Sequence, residues 1–225
     1  MDRYVLLSEK EWHLGLFEKL KENFPDDEWI LIQNKQDFKN EKLSFIKPKT
    51  IFIPHWSNFI PSHIFLNYKC ILFHMTDLPY GRGGSPLQNL IINGHKQTKI
   101  TAIKVTDGID EGPIYLKKKL DLSGSAKDIF SRSSNIIFQM ICMIIDENII
   151  PVPQKGEPTI FKRRNPKQSD ISKLDDLNII YDYIRMLDCD GYPNAFIDLN
   201  GVRYEFSNVK NLKNSLEANV RIIKN

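Results

Sequence analysis

Short apolar runs rich in β-branched residues alternate with amphipathic stretches along the first half of the chain. The runs predict four strands, at Tyr4–Leu7, Trp29–Ile32, Thr50–Ile53 and Cys70–Phe73. Helices are predicted between them, starting from a Ser8–Glu11 capping box, over Gln36–Phe45 and near Ser62–Leu66. Because strands that are apolar throughout are typical of a parallel sheet covered on both faces, this order predicts an α/β fold. We expect it to be Rossmann-like and doubly wound, with a mostly parallel sheet.

The second half adds two further predicted strands, a long helix and a small extension. The strands are Ile100–Val105 and Ile114–Leu120, and the helix runs from about Ser125 to Asp146. Residues 151–173 are rich in Pro, Lys and Arg without periodicity, which is typical of a linker. A helix at Leu174–Leu187 and a hairpin follow, with Ala195–Leu199 and Val202–Phe206 joined by Asn200-Gly201. The predicted organisation is a main domain over 1–150, the linker, and a helix–hairpin subdomain over 174–225.

Composition and charge narrow the class of protein. The chain is 41% hydrophobic and 26% charged, which is typical of a globular protein and excludes disordered, collagen-like and coiled-coil classes. Its 31 Lys and Arg against 28 Asp and Glu give a net charge of +3, too small to predict a nucleic-acid groove. Three widely spaced cysteines favour a reducing compartment over disulfides or a zinc ribbon, and no spacing of His, Cys and acidic residues predicts a metal site.

The apolar runs also bear on the expected compartment. The N-terminal run lacks the apolar core of a signal peptide. The longest apolar stretch, Ile136–Ile145, is shorter than the roughly 20 residues that cross a bilayer. We therefore expect a cytoplasmic protein without a membrane partner.

Two loops carry the candidate chemistry. His74 directly follows the fourth predicted strand and precedes a glycine-rich turn, Tyr80–Pro86, and doubly wound sheets bind ligands at such strand ends. The second loop, Asp107–Pro113, lies between two predicted strands, and taken alone it is more typical of a solvated turn. No G-x-G-x-x-G follows the first strand, so the dinucleotide-binding fingerprint is absent.

Together the two loops resemble the 10-formyltetrahydrofolate-dependent formyltransferases. The run FHMTDLPYGRGGSPLQNLIINGHKQTKITAIKVTDGIDEGPIY matches a family pattern close to N-x-H-x-S-L-L-P-x-x-R-G-x-x-P at His74, Pro79, Arg82, Gly83 and Pro86. The family's later positions are matched by Thr98, Thr101, Asp110, Gly112 and Ile114, and HWSNFIP at 55–61 resembles the family segment after the third strand. The likeness is close over residues 50–121 and looser over 1–165, and it implies that residues 1–150 form the catalytic domain.

The resemblance implies the chemistry as well as the fold. An amine would attack the formyl carbon of the co-substrate 10-formyltetrahydrofolate, with His74 as base or proton shuttle and Asp110 orienting its imidazole. The pterin is expected against backbone groups of the loop at 105–110. The implied cofactor-binding residues are His55, Trp56, Ser57, Met75, Arg82, Gly83, Val105, Asp107, Gly108 and Ile109.

One position departs from the family pattern. The family's asparagine, two residues before the histidine, polarises the formyl oxygen, and here that position is Leu72. Losing such a donor typically costs about 100–1,000-fold in rate, so a replacement is expected. The possible oxyanion donors are Thr76, Gln88, Asn89 and the backbone N–H groups of Gly81–Gly84, and the sequence does not choose between them.

The C-terminal part of the sequence bears on which amine accepts the formyl group. The segment Ile184–Phe196 resembles sugar N-formyltransferases, whereas tRNA-directed family members carry a large C-terminal β-barrel domain that the remaining residues would not form. The expected substrate is a UDP- or dTDP-linked 4-amino-4,6-dideoxy sugar of the pseudaminic type, used for surface glycans, with no nucleic-acid partner. The expected substrate-binding residues are Tyr80 and the cations Lys162, Arg163 and Arg164, because arginine offers paired donors to phosphate oxygens.

Other interpretations stay open at this point. The formylated amine could instead belong to glycinamide ribonucleotide or to a carrier-bound aminoacyl group. Leu72 also permits a catalytically decayed module that only binds a folate or a nucleotide. Retention of His74, Asp110 and the loop register favours an active enzyme, and the choice between monomer and homodimer is open.

Overall fold

The computed structural model describes residues 1–224. Its contacts divide into two compact units, the first formed by Met1–Arg82, Lys99–Leu120 and Ser131–Ile160. The second is formed by Gly83–Thr98, Asp121–Phe130 and the chain from Phe161 onward. These units interleave along the sequence, whereas the predicted domains are consecutive. The division into 1–150, 151–173 and 174–225 stays a prediction.

The strands and helices follow the predicted α/β order through the first half. The first strands are β1 (Arg3–Ser8), β2 (Glu28–Ile32), β3 (Thr50–His55), β4 (Cys70–His74), β5 (Arg82–Gly83), β6 (Gln97–Lys104) and β7 (Ile114–Asp121). The helices are α1 (Leu14–Asn23), α2 (Asn40–Ile46), α3 (Ser62–Phe65), α4 (Pro86–Ile92), α5 (Ala126–Asp146) and α6 (Leu177–Arg185). The remaining strands are β8 (Ile160–Phe161), β9 (Ala195–Leu199), β10 (Val202–Leu212) and β11 (Ser215–Lys224).

A six-stranded sheet in the order β2-β1-β3-β4-β6-β7 forms the centre of the fold. β1 pairs in parallel with β2 and β3, β3 pairs in parallel with β4, and β6 runs antiparallel to β4. Every residue of β1 after Arg3 is buried, which indicates that both faces of the sheet are covered. The prediction of a Rossmann-like, mostly parallel sheet is confirmed.

The two faces of this sheet bury different side chains, because successive residues of a strand point to opposite sides. One face carries an aromatic layer in which Tyr4 stacks on Trp29 with ring centroids 4.8 Å apart, and Trp29 stacks on Phe52. The other face carries an aliphatic cluster that includes Val5, Leu7, Ile51, Ile53 and Cys70. Ile51 is in register with Cys70 and Ile53 with Leu72, so β4 presents alternate residues, ending at His74, on the aliphatic side.

Two predicted boundaries are wrong. Ser8 does not cap a helix: it is the last residue of β1, and a 3₁₀ turn at Glu11–His13 separates it from α1. Its hydroxyl instead contacts the ring of His13, at 2.7 Å from Nδ1. The second helix begins at Asn40 rather than Gln36.

The second unit contains the predicted hairpin and a long third strand, β11, that the sequence did not predict. β9 and β10 are antiparallel and joined at Asn200 and Gly201, both with positive φ, which confirms the Asn-Gly turn. β10 continues to Leu212 and turns into β11, giving a three-stranded sheet in the order β11-β10-β9. The Asp176 carboxylate caps α6 by accepting from the amides of Asn178 and Ile179.

Residues 1–224 contain no helix that combines the length and the apolar composition needed to cross a bilayer.

Candidate active site

His74 and Asp110 meet in a nearly buried contact. Nδ1 of His74 lies 3.5 Å from Oδ2 of Asp110, and only 8% and 11% of the two side chains is exposed. The predicted pair is therefore brought together. Because β6 is antiparallel to β4, the amide of Val105, directly after β6, bonds to Cys70 at the start of β4. Asp110 reaches His74 from the loop between β6 and β7, as the sequence predicts.

A hydrogen bond to the turn after β4 places a proton on one nitrogen of the His74 imidazole. Nε2 lies 2.8 Å from the carbonyl oxygen of Gly81, which can only accept, so Nε2 carries a proton. Nδ1 faces the carboxylate of Asp110, and this contact is attractive when one proton lies on either Nδ1 or Oδ2. The pair can therefore hold or release one proton between these two atoms, which is what a proton shuttle requires.

The turn after β4 is anchored on both sides. Thr101 donates its hydroxyl proton to the carbonyl of Thr76 at 2.6 Å, and the amide of Gly81 donates to the hydroxyl of Thr159 at 2.7 Å. Asp77 pairs with Lys99 at 2.9 Å and with Lys117 at 2.5 Å. Burial opposes ionisation of Asp77, but these two ammonium groups hold its pKa below the usual range. The Gly81 carbonyl, which faces His74, therefore lies in a turn that hydrogen bonds hold at Thr76 and at Gly81.

The loop that carries Asp110 closes tightly. The amide of Lys104 bonds to the carbonyl of Pro113 at 2.9 Å. A Cβ at Gly112 would lie only 1.6 Å from the carbonyl oxygen of Lys104, so glycine is required there. Asp110 itself has a φ of +52°, a left-handed conformation that is uncommon for a residue with a side chain.

Gln154 and Arg82 form a network behind Asp110. Nε2 of Gln154 donates to the carbonyl oxygens of Asp110 at 2.7 Å and Gly112 at 3.0 Å. Oε1 of Gln154 accepts from Nε and Nη2 of Arg82 at 3.3 and 2.9 Å. Nη1 of Arg82 pairs with Glu111 at 3.2 Å. Arg82 was predicted from the resemblance to bind the cofactor, whereas Gln154 lies in the predicted linker and carries no sequence signal.

Two residues predicted to bind the folate, Trp56 and Val105, are partly buried against the aliphatic cluster, as is Leu72 of β4. The ring of Trp56 meets Phe38 edge-on at 5.8 Å. His55 ends β3 and its ring contacts Trp12 at 5.9 Å. The hydroxyl of Ser57 is exposed and bonds to Glu9.

The other residues of the predicted folate site lie in the two loops. Met75 and Gly108 are half-buried, whereas Asp107 and Ile109 are exposed. Gly83 belongs to the second unit, where a Cβ on it would lie 2.5 Å from the carbonyl oxygen of Phe161. That all these residues bind the donor stays a prediction.

The three predicted oxyanion side chains differ in their surroundings. Thr76 is fully buried and donates to the same Gly81 carbonyl that faces His74, at 3.3 Å. Gln88 and Asn89 belong to the second unit, and their amide groups donate to backbone carbonyls, including that of Met186 at 3.1 Å for Gln88 and that of Gly84 at 3.0 Å for Asn89. Thr76 is therefore the member of the set that shares a partner with His74.

The residues predicted to bind the acceptor are also placed unequally. Lys162 and Arg163 are exposed. Arg164 is engaged within the second unit: its guanidinium donates to the carbonyl of Gln168 and lies over the ring of Tyr183 at 5.3 Å. Tyr80 is half-buried in the turn after β4, where its amide bonds to the carbonyl of Asp77.

A second histidine lies at the same sheet edge, and the sequence did not single it out. His13 is 3% exposed, with the hydroxyl of Ser8 on its Nδ1. Burial, with a smaller contribution from His55, lowers its pKa from 6.5 to about 3. His13 is therefore neutral at physiological pH.

Within the described part of the chain, no group of three or more His, Cys, Asp or Glu side chains is arranged to hold a metal ion.

A Rossmann-like sheet that presents a buried histidine–carboxylate pair is typical of a site for acid–base chemistry. Comparisons with known proteins show to which family of proteins the chain belongs. The family described as "Formyl transferase" matches residues 19–129, and the one described as "Methionyl-tRNA formyltransferase, C-terminal domain" matches residues 166–223. A structure of methionyl-tRNA formyltransferase from Clostridium thermocellum is 48% identical, with a TM-score of 0.97 and full coverage of both chains. The chain belongs to the formyl transferase family.

More distant proteins share the fold or part of the sequence. Methionyl-tRNA formyltransferase of Ehrlichia ruminantium is 27% identical over 79% of this chain, and the chain spans 61% of that protein's length. HypX from Aquifex aeolicus in complex with tetrahydrofolic acid has a TM-score of 0.76 at 18% identity, over 92% of this chain and 37% of HypX. A sugar N-formyltransferase from Shewanella sp FDAARGOS_354 has a TM-score of 0.70 at 15% identity, over 92% of this chain and 97% of that one.

Proposed function

We propose that this protein transfers the formyl group of 10-formyltetrahydrofolate to an amine. The observation that carries the proposal is the 3.5 Å contact between His74 and Asp110, made by residues that match the family pattern. The membership in the formyl transferase family supports the donor. The fold shared with a tetrahydrofolate-bound protein is consistent with it.

The reaction needs one proton to move between two nitrogens. The amine nitrogen forms a bond to the formyl carbon, and the carbonyl electron pair moves to oxygen. When the tetrahedral intermediate collapses, the bond from the formyl carbon to N10 of the folate breaks. The amine has by then lost one proton and N10 has gained one, so the His74–Asp110 pair, which can hold one proton, suits the transfer.

The formyl oxygen becomes negatively charged in the intermediate and needs a donor. Leu72, in the position of the family's asparagine, is apolar and packs on the aliphatic cluster, so it cannot serve. We infer that Thr76 replaces it, because it is the member of the predicted set whose hydroxyl shares the Gly81 carbonyl with His74.

For the acceptor we propose an amino sugar carried by a nucleoside diphosphate. The segment Ile184–Phe196, which resembles sugar N-formyltransferases, supports this substrate class. The exposed cations Lys162 and Arg163 suit a diphosphate, whereas Arg164 is engaged by Gln168 and Tyr183. The sugar would be the UDP- or dTDP-linked 4-amino-4,6-dideoxy type expected from the sequence.

A second candidate acceptor is methionyl-tRNA. It is favoured by one observation, the 48% identity to a structure named methionyl-tRNA formyltransferase over the full length of both chains. The match of residues 166–223 to the C-terminal domain of that group of proteins points in the same direction.

The experiment is incubation with 10-formyltetrahydrofolate and, separately, a panel of nucleotide-linked amino sugars, glycinamide ribonucleotide and methionyl-tRNA. Each product is read by the mass increase of one formyl group, with His74→Ala as the inactive control. Formylation of a nucleotide sugar supports the proposal, and formylation of methionyl-tRNA alone replaces it by the second candidate. Donor binding without transfer to any acceptor contradicts enzymatic function.

A further inference from the structure

Gln154 lies between Arg82 and the loop that carries Asp110. It is half-buried in the segment after α5, which is held beside β7 by paired backbone bonds between Ile114 and Val152 at 2.7 and 2.9 Å. From there its amide reaches the carbonyl oxygens of Asp110 and Gly112. Both contacts are to backbone atoms of the loop that carries the carboxylate facing His74.

The orientation of this amide is fixed by chemistry. Arg82 offers only donors, so the amide oxygen must face it, and the two loop carbonyls only accept, so the amide nitrogen must face them. The reversed amide would place a donor against the guanidinium and an oxygen against two oxygens. Arg82 thus orients Gln154, and Gln154 orients the loop.

The loop needs such a restraint. Asp110 has a left-handed backbone, which is less favourable for a residue with a Cβ than for glycine. The bonds from Gln154 hold the carbonyl of Asp110 and that of Gly112, two residues later. A small rotation of this backbone would change the 3.5 Å separation between Oδ2 and Nδ1.

We propose that Gln154 is a positioning residue, which fixes the Asp110 carboxylate against His74 through the carbonyls of Asp110 and Gly112. Arg82 supports it by holding the amide oxygen. The consequence for catalysis rests on the proposed formyl transfer, whereas the consequence for the geometry of His74 does not. In this arrangement Arg82 acts on the His74–Asp110 pair through Gln154.

Two variants separate the donor role of the amide from simple packing. Gln154→Glu keeps the length and the acceptor for Arg82 but places an oxygen against the two carbonyls. Gln154→Met keeps the length without polar groups. The matched control is Lys155→Ala, which changes the neighbouring, exposed residue of the same segment.

The measurements are kcat and KM for formyl transfer, the folded fraction by thermal unfolding, and the ¹⁵N chemical shifts of the His74 ring. We expect Gln154→Glu and Gln154→Met to lower kcat by about 10- to 100-fold, since small misplacements of reacting groups have effects of this size. KM for the donor should change little, the His74 ring signals should shift, and Lys155→Ala should match the parent.

Each outcome decides the proposal. A parent-like kcat in Gln154→Glu overturns it, and so does a loss of activity that only follows the folded fraction. If the parent transfers no formyl group to any acceptor, the proposed function fails and the ¹⁵N signals decide alone. Unchanged His74 signals in Gln154→Glu then overturn the positioning role, and shifted signals with an unaffected control support it.

Discussion

Nε2 of His74 lies 2.8 Å from the carbonyl oxygen of Gly81, so one of its two ring nitrogens is committed to the turn that follows its own strand. Only Nδ1 is left to exchange a proton, and it faces Asp110. The turn therefore selects the tautomer, and the carboxylate completes the shuttle. We therefore expect both residues to matter for the chemical step.

We expect His74→Ala and Asp110→Asn to lower kcat of formyl transfer by about 100- to 10,000-fold, the range typical of acid–base groups. In Asp110→Asn the new amide has nearly the shape of the carboxylate but cannot take up the shuttled proton. Initial rates at saturating donor and acceptor measure the effect. His63→Ala, at an exposed histidine of α3, is the matched control and should keep the parent rate. Parent-like turnover by His74→Ala would remove the proposed mechanism.

Trp56 should contribute to donor binding. Its ring lies on the aliphatic cluster that also carries Leu72 and Val105, so an aromatic pterin stacked there would contact it. Trp56→Ala is expected to raise Kd for the donor about 3- to 10-fold, equivalent to the roughly 0.5–1.5 kcal/mol of an aromatic pair. Calorimetric titration of the folded variant measures this, with the exposed Leu66→Ala as control. An unchanged Kd would place the pocket elsewhere.

His13 should make the protein less stable in acid. Its pKa is about 3 in the folded state and near 6.5 in an unfolded chain, so the unfolded state binds the extra proton between these values. The contribution of His13 to the free energy of unfolding is therefore fully present above pH 6.5. It decreases by up to about 1.4 kcal/mol per pH unit as the pH drops toward 3. Urea titrations from pH 7 to about pH 4 measure the slope. His13→Asn should flatten it, and an equal slope in the variant would assign the effect to other groups.

Two glycines should respond in opposite directions to alanine. Gly112→Ala places a Cβ 1.6 Å from the Lys104 carbonyl oxygen, so the loop must move; we expect a loss of about 1–3 kcal/mol and of most activity. Gly15 lies exposed in α1 with nothing within 4 Å of its ideal Cβ. Gly15→Ala should raise the free energy of unfolding by about 0.5–1 kcal/mol at parent activity. Chemical denaturation with rate assays tests both, and a stabilising Gly112→Ala would contradict the described loop.

The strands of the sheet could be predicted because each is a local apolar run. β1, β3 and β4 are short and apolar, and amphipathic helices lie between them in the sequence, so their existence and class follow from the local pattern. Local signals failed where a tertiary contact competed. Ser8 has the sequence of a helix cap, but its burial at the end of β1 and its bond to His13 commit it to the strand. β11 was missed because its exposed, mixed sequence is paired only through β10.

The candidate site was likewise predicted only in part. His74 and Asp110 were found through a family pattern, which records residue types and spacing. That pattern does not record strand directions, so it could not show that β6 runs antiparallel to β4. Gln154 could not be predicted from the sequence, because its contacts join the Asp110 loop to a distant segment. A single glutamine among prolines matches no chemical motif.

Cys70 begins the strand that ends in His74, and its thiol is 1% exposed, with burial raising its pKa to about 12. A thiol in this state does not react with alkylating reagents, because the thiolate is the nucleophile. Labelling of Cys70 under native conditions therefore requires that β4 opens. The rate at which Cys70 is labelled therefore reports local opening of β4, the strand that ends at His74. Mass spectrometry measures this rate without any introduced probe.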